Sequence, residues 1–251
     1  MNEAELVFTV ILNCDRTSLY LDKRLQWDKD KSRAVSAIMK RRISFEPLQY
    51  ILGKTEFMGL EFKVSPGVLI PRQETEILVE TVMGLTGGSM AQASASLKAL
   101  DIGTGSGCIA VCLAKFIPGI EAHAVDISRK ALAVARENAA SNGVHVDFML
   151  SDLFDSSALK AGTYDIIVSN PPYIPGSQID GLAAEVRREP VIALDGGIDG
   201  LDFYRRIVRR APLYLKQSGF LAMEMGFGQA EAIKDIFMDS RSFRITRVIP
   251  D

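Results

Sequence analysis

The run Tyr164-Asp-Ile-Ile-Val-Ser169 limits what this chain can fold into more than any other stretch. It is short, apolar and rich in β-branched residues, which reads as a strand buried on both faces, as inner strands of a parallel sheet are. Asn170-Pro171-Pro172-Tyr173 follows at once. The two prolines fix φ twice and remove two backbone donors. Pro171 also keeps Asn170 out of the helical region. Asn170 is therefore held extended at the carboxyl end of a strand, where open α/β sheets bind their ligands. The carbonyls of Asn170 and Pro171 have no ladder to join. An Asn amide, free carbonyls and a flat ring at one point suit a planar group bearing an NH2, such as an amide or an exocyclic base amine. The alternative is a tight Pro-Pro turn with a capping Asn.

The pattern around this stretch alternates. It predicts strands over 97–102, 120–125, 146–150, 164–169, 219–225 and 243–249. Between them it predicts helices that follow the glycine-rich turn at 103 and span 128–142, 201–215 and 229–238. Alternating β and α at this spacing implies an α/β fold with a doubly wound, mainly parallel sheet. Residues 1 to about 50 read as helical instead: Leu6, Val7, Val10 and Ile11 share a face, and a second helix is expected over 32–42. The run Lys40-Arg41-Arg42 reads as a solvated helix end that complements the dipole, with a basic docking face as the alternative. Residues 54–70 alternate as a hairpin does, closed by Ser65-Pro66-Gly67. A helix is expected from Val68 to about Leu85, and 86–96, rich in Gly, Ser and Ala, reads as a linker without chemistry.

Bulk properties exclude several classes. A net charge of −2 gives no general pull towards nucleic acid or an anionic membrane. The first residues lack a basic segment followed by an apolar run, so no signal peptide is visible, and no apolar stretch reaches the length of a membrane span. Three cysteines (Cys14, Cys108 and Cys112) and two histidines lack metal-ligand spacing and read as packing in a reducing compartment, the cytoplasm.

The glycine-rich turn carries the second candidate site. Asp101-Ile-Gly103-Thr104-Gly105-Ser106-Gly107 follows a strand and opens a helix, so its backbone can approach a ligand and present free N–H groups. Asp126 ends the next strand, where an acid can accept two hydrogen bonds from a ribose. Asp152 ends the strand after that, where a carboxylate can accept from an adenine amine. No Lys-Ser/Thr pair of a phosphate loop is present. Asp101 beside the ligand would repel a pyrophosphate and attract an ammonium, which favours S-adenosylmethionine. An alternative is that Asp101 only caps the following turn.

Together these motifs resemble the class I S-adenosylmethionine-dependent methyltransferases that methylate amide or amine nitrogen. Pro47-Leu-Gln-Tyr-Ile-Leu-Gly53, Glu56-Phe57, Leu69-Ile-Pro-Arg-Gln-Glu-Thr-Glu76, Glu185-Val-Arg-Arg-Glu-Pro190 and Ala193-Leu-Asp-Gly-Gly197 resemble the HemK/PrmC family across nearly the whole chain. That resemblance implies methylation of the glutamine side chain in the Gly-Gly-Gln motif of peptide chain release factors. It implies a Rossmann-like methyltransferase domain over 71–251, a helical substrate-docking domain over 1–53 and a hairpin linker over 54–70. Gly103, Thr104, Gly105, Ser106 and Gly107 would wrap the methionine part of the cofactor with Asp101, Asp126 would hold the ribose, and Asp152 and Leu153 would flank the adenine. Family members often carry Trp where this chain has Leu153. Asn170 and the Pro171 carbonyl would accept from the glutamine NH2, with Pro172 and Tyr173 lining the pocket. The helical region is shorter than is usual in the family, which usually continues past the position of Asp251 into one more strand. The expected partner is a release factor, with no stable nucleic-acid binding, no membrane and a monomeric state. Glutamine of a ribosomal protein and adenine N6 of a nucleic acid remain the alternative acceptors, the latter needing a basic channel for base flipping.

Overall fold

The computed structural model describes residues 2–86 and 96–250. Most of the expected linker at 86–96 lies outside the described residues. The chain opens with four helices, α1 (Glu3–Leu12), α2 (Arg16–Leu21), α3 (Lys29–Ile43) and α4 (Leu48–Leu52). Side-chain caps start three of them: Asn2 with Glu5 in a reciprocal capping box, Asp15, and Asp28. The cations at the end of α3 are not simply solvated. Arg41 pairs with Glu46, while Arg42 reaches both Glu3 and Glu185, far along the chain. An antiparallel hairpin follows, β1 (Lys54–Phe57) with β2 (Leu60–Lys63). Helix α5 (Glu74–Leu85) starts later than the expected 68, because Pro71 keeps Ile70 extended and the Ile70 N–H is taken at 3.0 Å by the buried carboxylate of Glu189.

From there strands and helices alternate as expected. They are β3 (Lys98–Ile102), α6 (Cys108–Phe116), β4 (Glu121–Asp126), α7 (Arg129–Ser141), β5 (Asp147–Leu150), β6 (Tyr164–Ser169), α8 (Asp202–Tyr214), β7 (Leu215–Met223) and α9 (Ala230–Ser240). The sheet order is β5-β4-β3-β6-β7, all parallel. This is the doubly wound Rossmann-like arrangement, with the central crossover between β3 and β6. The last expected strand is absent. Residues 243–249 form no strand, although Phe243-Arg-Ile-Thr-Arg-Val-Ile alternates like one. Alternation expresses side-chain preference, whereas a strand needs a partner ladder, and none of these residues pairs with the sheet.

The sheet separates two apolar clusters. Ile166 and Val168 of β6 pack on one side with α5 and α6; Ile167 and Tyr164 pack on the other with Ile207 and Ala211 of α8. All six residues of β6 are buried. Asp165 among them is satisfied by the Lys98 N–H at 2.9 Å and the Lys216 ammonium at 2.6 Å. Asn138 of α7 ties the hairpin to the glycine-rich turn, exchanging hydrogen bonds with Lys63 and donating to the Ser106 carbonyl at 2.8 Å. The cysteines are free thiols, two of them buried in α6. Among the described residues no helix is long and apolar enough to cross a membrane, and no group of three or more His, Cys, Asp or Glu could hold a metal ion.

Ile167 has no exposed surface and sits in the middle of β6. Ile167→Ala is expected to lower folding stability by about 3 kcal/mol through lost burial and the cavity left behind. Chemical denaturation followed by circular dichroism measures this as a lower midpoint.

Candidate active site

The chain leaves β6 as the prolines require. Asn170 stands just past the last residue of β6, outside any helix or turn, and no backbone N–H among the described residues is bonded to the main-chain oxygens of Asn170 or Pro171. The Asn170 amide nitrogen donates to the Thr75 hydroxyl at 3.0 Å, and that hydroxyl donates to the Glu224 carboxylate at 2.6 Å. Burial pushes the Glu224 carboxyl above its ordinary range, against the pull of the Thr75 and Asn170 hydrogen bonds. A cavity of about 180 Å³ opens here, lined by Leu69, Arg72, Asn170, Pro171, Tyr173 and Ile174 with residues of the following loop. It is smaller than the roughly 300–1,000 Å³ of drug-sized sites and matches one side chain. Arg72 is not a free cation, because its guanidinium pairs with buried Glu189.

Tyr173 is held through its backbone. Its carbonyl accepts from the Gln229 amide at 2.9 Å. Gly196 lies against the same segment: a Cβ there would come within 2.8 Å of both the Pro172 oxygen and the Tyr173 Cα. Only glycine allows that approach, which lets 194–196 pair alongside Ile174.

The glycine-rich turn forms the neighbouring half of the site, at the ends of β3 and β4. Gly103 and Thr104 both donate to the Val125 carbonyl, at 2.9 and 3.0 Å. The Thr104 hydroxyl donates to one oxygen of Asp101 at 2.6 Å. The other Asp101 oxygen is buried without a partner, as is the Ser106 hydroxyl. Burial, with the nearby charge of Asp126 as a smaller cause, pushes the Asp101 carboxyl up to about 7. Asp126 accepts from the Gly105 N–H at 2.9 Å and the Ser128 N–H at 2.8 Å, so it braces the turn. Gly107 meets Ala135 of α7 where a Cβ would stand 3.0 Å away, which brings α6 and α7 together.

These features fit S-adenosylmethionine. A buried carboxylate oxygen without a partner suits an ammonium, and a Cβ at Gly103 or Gly105 would meet nothing within 4 Å, so the backbone face of the turn is open. Asp101, Gly103, Thr104, Gly105, Ser106, Gly107 and Asp126 are brought together. Asp152 and Leu153 are placed differently from the rest. Asp152 is tied to Arg206 at 2.7 Å, and Leu153 is only 7% exposed, packed with Leu100, Ile102 and Val125. Leu153 therefore offers little free face to a ring. Ile127, directly after Asp126, is 51% exposed and supplies apolar surface beside the turn.

Known proteins agree with this geometry. Residues 75–189 match the family described as Methyltransferase small domain, and residues 1–53 match the PrmC N-terminal domain. A Release factor glutamine methyltransferase of Geobacter sulfurreducens is 44% identical over 94% of this chain and 80% of its own length. Another, of Koribacter versatilis, is 41% identical over 99% of this chain and 86% of its own length. The chain belongs to the release factor glutamine methyltransferase family. Among solved structures, the hMettl16 catalytic domain in complex with MAT2A 3'UTR hairpin 6 superposes with a TM-score of 0.58 at 17% identity, over 87% of this chain and 85% of that one. A methyltransferase from Pyrococcus furiosus gives 0.52 at 18% identity, over 83% and 86%. Both show the shared methyltransferase fold.

For a member of the release factor glutamine methyltransferase family, the residues that sequence reasoning missed are Thr75, Glu224, Gln229 and Ile127. Thr75 sits in a stretch that reads as an ordinary acidic first turn of a helix. Glu224 carried a usable signal: a lone acid between Met223 and Met225 at the end of an otherwise apolar strand.

The raised pKa of Asp101 has a definite sign. The folded state holds this proton more tightly than the unfolded chain, so the contribution to stability is full below pH about 4 and lost as pH rises to about 7. Asp101→Asn is expected to flatten that loss and raise the melting temperature of the ligand-free protein at pH 8, while weakening S-adenosylmethionine binding at least about tenfold. Thermal melts across pH and calorimetric titration check the two effects separately.

Proposed function

We propose that this protein transfers the methyl group of S-adenosylmethionine to the side-chain amide nitrogen of the glutamine in the Gly-Gly-Gln motif of peptide chain release factors. The observation that carries the reading is the pocket beside Asn170, sized for one side chain and walled by acceptors suited to an NH2. The substrate class follows the relatives, whose names state that activity.

When bound, S-adenosylmethionine supplies an electrophilic methyl on a sulfonium. The chain's own residues do the rest. Asn170 Oδ1 and the Pro171 carbonyl accept the two N–H bonds of the glutamine amide and so fix the direction of its nitrogen. An amide nitrogen is a weak nucleophile, so holding it in near-attack geometry is the main contribution. The same oxygens stabilise positive charge that develops on that nitrogen. Pro171 and Tyr173 wall the pocket, Pro172 lies between them in the chain, and Leu69 adds apolar surface that excludes water. Gly103, Thr104, Gly105, Ser106 and Gly107 cradle the cofactor beside Asp101, and Asp126 takes its ribose. Asp152, paired with Arg206, borders its adenine, and Leu153 flanks the same place from the core side.

We assign residues 1–53 to docking of the release factor, 54–70 to a hairpin linker and 71–251 to transfer. Contacts between α3 and the pocket loop support that assignment: Arg42 pairs with Glu185 at 2.6 Å, and Arg188 donates to the Ser44 carbonyl at 2.9 Å. A partner seated on the helices would thus lie close to the segment that lines the pocket through Val186. The free thiols suit the cytoplasm, where release factors act, and a monomer leaves the docking face open.

Labelled methyl transfer to purified release factor is the test. Label is expected on the wild-type factor and not on its Gly-Gly-Ala version; label on ribosomal proteins or DNA alone would overturn the reading. Asn170→Ala is expected to lower kcat about 100-fold while cofactor affinity changes far less. An unchanged kcat would remove Asn170 from its role.

A further inference from the structure

The Asn170 side chain offers two opposite ends of nearly equal size. One is an oxygen that accepts; the other is an NH2 that donates. A half-turn of the terminal amide exchanges them. Which end faces the cavity decides whether the site binds an N–H or a C=O, so the same residue can select for an amide nitrogen or against it. Nothing in the Pro-Pro backbone makes that choice.

The neighbours make it. Thr75 is 2% exposed, so its hydroxyl has no solvent to turn to. That hydroxyl has one proton, which goes to the ionised Glu224 at Oε2, 2.6 Å away, a carboxylate that the Asn170 amide also helps to hold charged. Towards Asn170, 3.0 Å away, it can only accept. The NH2 of Asn170 must therefore face Thr75, and Oδ1 is turned away from it. We propose that Thr75 and Glu224 are positioning residues that set the polarity of the Asn170 amide, so that the pocket accepts N–H donors and selects a glutamine amide. This rests on the methyl-transfer reading of the same pocket. A flipped Asn170 would put its oxygen against a hydroxyl oxygen whose proton is already used, and its NH2 against the substrate NH2. Both are buried mismatches.

Glu224 is itself fixed. Its N–H donates to the carbonyl of Ser169 at 3.1 Å, one residue before Asn170, and its carbonyl accepts from the Tyr204 hydroxyl at 3.0 Å. Tyr204 has no exposed surface. The relay thus runs from the end of β7 through the first turn of α5 to the end of β6, with α8 bracing it. Its three side chains come from distant parts of the sequence, and only the folded sheet brings them into line.

Two readouts test the relay. The first needs no turnover. The side-chain amide protons of Asn170, identified in a nitrogen-15 spectrum by their loss in Asn170→Ala, are expected as two separate, protected signals. In Thr75→Val they are expected to exchange at least about tenfold faster, as a lost buried hydrogen bond implies. Unprotected signals in the parent protein would overturn the relay whatever the transfer assay gives. The second readout is kinetic. Thr75→Val is expected to lower kcat about tenfold or more, with cofactor affinity within about threefold of the parent, and Thr75→Ser to restore kcat to within about threefold. Equal loss in the Val and Ser variants, or no loss in Val, would overturn the proposal. Should Thr75→Val fail to fold, Glu224→Met keeps the hydroxyl and removes its acceptor; a fall in kcat of about fivefold or more supports the relay, and a change within about twofold overturns it. A parent protein with protected Asn170 signals and no methyl transfer to any glutamine would instead overturn the function while leaving the relay in place.

Discussion

The hydroxyl of Thr75 joins the Asn170 pocket to the sheet. It accepts from Asn170 and donates to Glu224, and so couples the exit of β6, the end of β7 and the start of α5 through one oxygen. Other features of the pocket are held independently of it. The prolines end the ladder after Ser169, Gly196 lets the following loop close on the Pro172–Tyr173 backbone, and Glu189 gathers Ile70 and Arg72 at the rim. A pocket made only of a Pro-Pro turn would have a shape without a polarity.

The cofactor half follows a different logic. Two carboxyl groups, Asp101 and Asp126, sit close together with little solvent, and burial disfavours charge on both. Asp126 recovers part of that cost by bracing the turn through Gly105 and Ser128. Asp101 does so with one oxygen only, through Thr104. The unfolded chain carries no such penalty, so the ligand-free protein gives up stability here for a site matched to a cation. Binding and folding stability are therefore opposed at one residue.

Much of this was legible in the sequence where the signal is local. Burial of β6, its end at Asn170, the glycine-rich turn and the acid closing β4 all follow from residue type and order. So did the parallel alternation of strands and helices, including all five strands of the sheet to within a few residues. Two readings of elements went astray for physical reasons. Pro71 and a distant carboxylate delayed α5, because Glu189 takes the Ile70 N–H across 119 residues of sequence. Residues 243–249 had strand chemistry without a ladder partner. The relay was invisible for a simpler reason: Thr75 lies 95 residues from Asn170 and 149 from Glu224, and no local pattern announces a contact of that kind.

The central claim is that the pocket recognises an amide by its N–H bonds. It is tested most directly by measuring the affinity of the cofactor-loaded protein for a release factor and for the same factor with Gly-Gly-Glu in place of Gly-Gly-Gln. The Glu version puts an oxygen in place of the NH2 in nearly the same volume and, once ionised, adds a negative charge that the same acceptors repel. Binding of the Glu version at least about tenfold weaker, with no methyl transfer, is what acceptors at Asn170 and Pro171 require. Equal affinity for the two would mean that shape and not hydrogen-bond polarity selects the substrate, and would contradict the account.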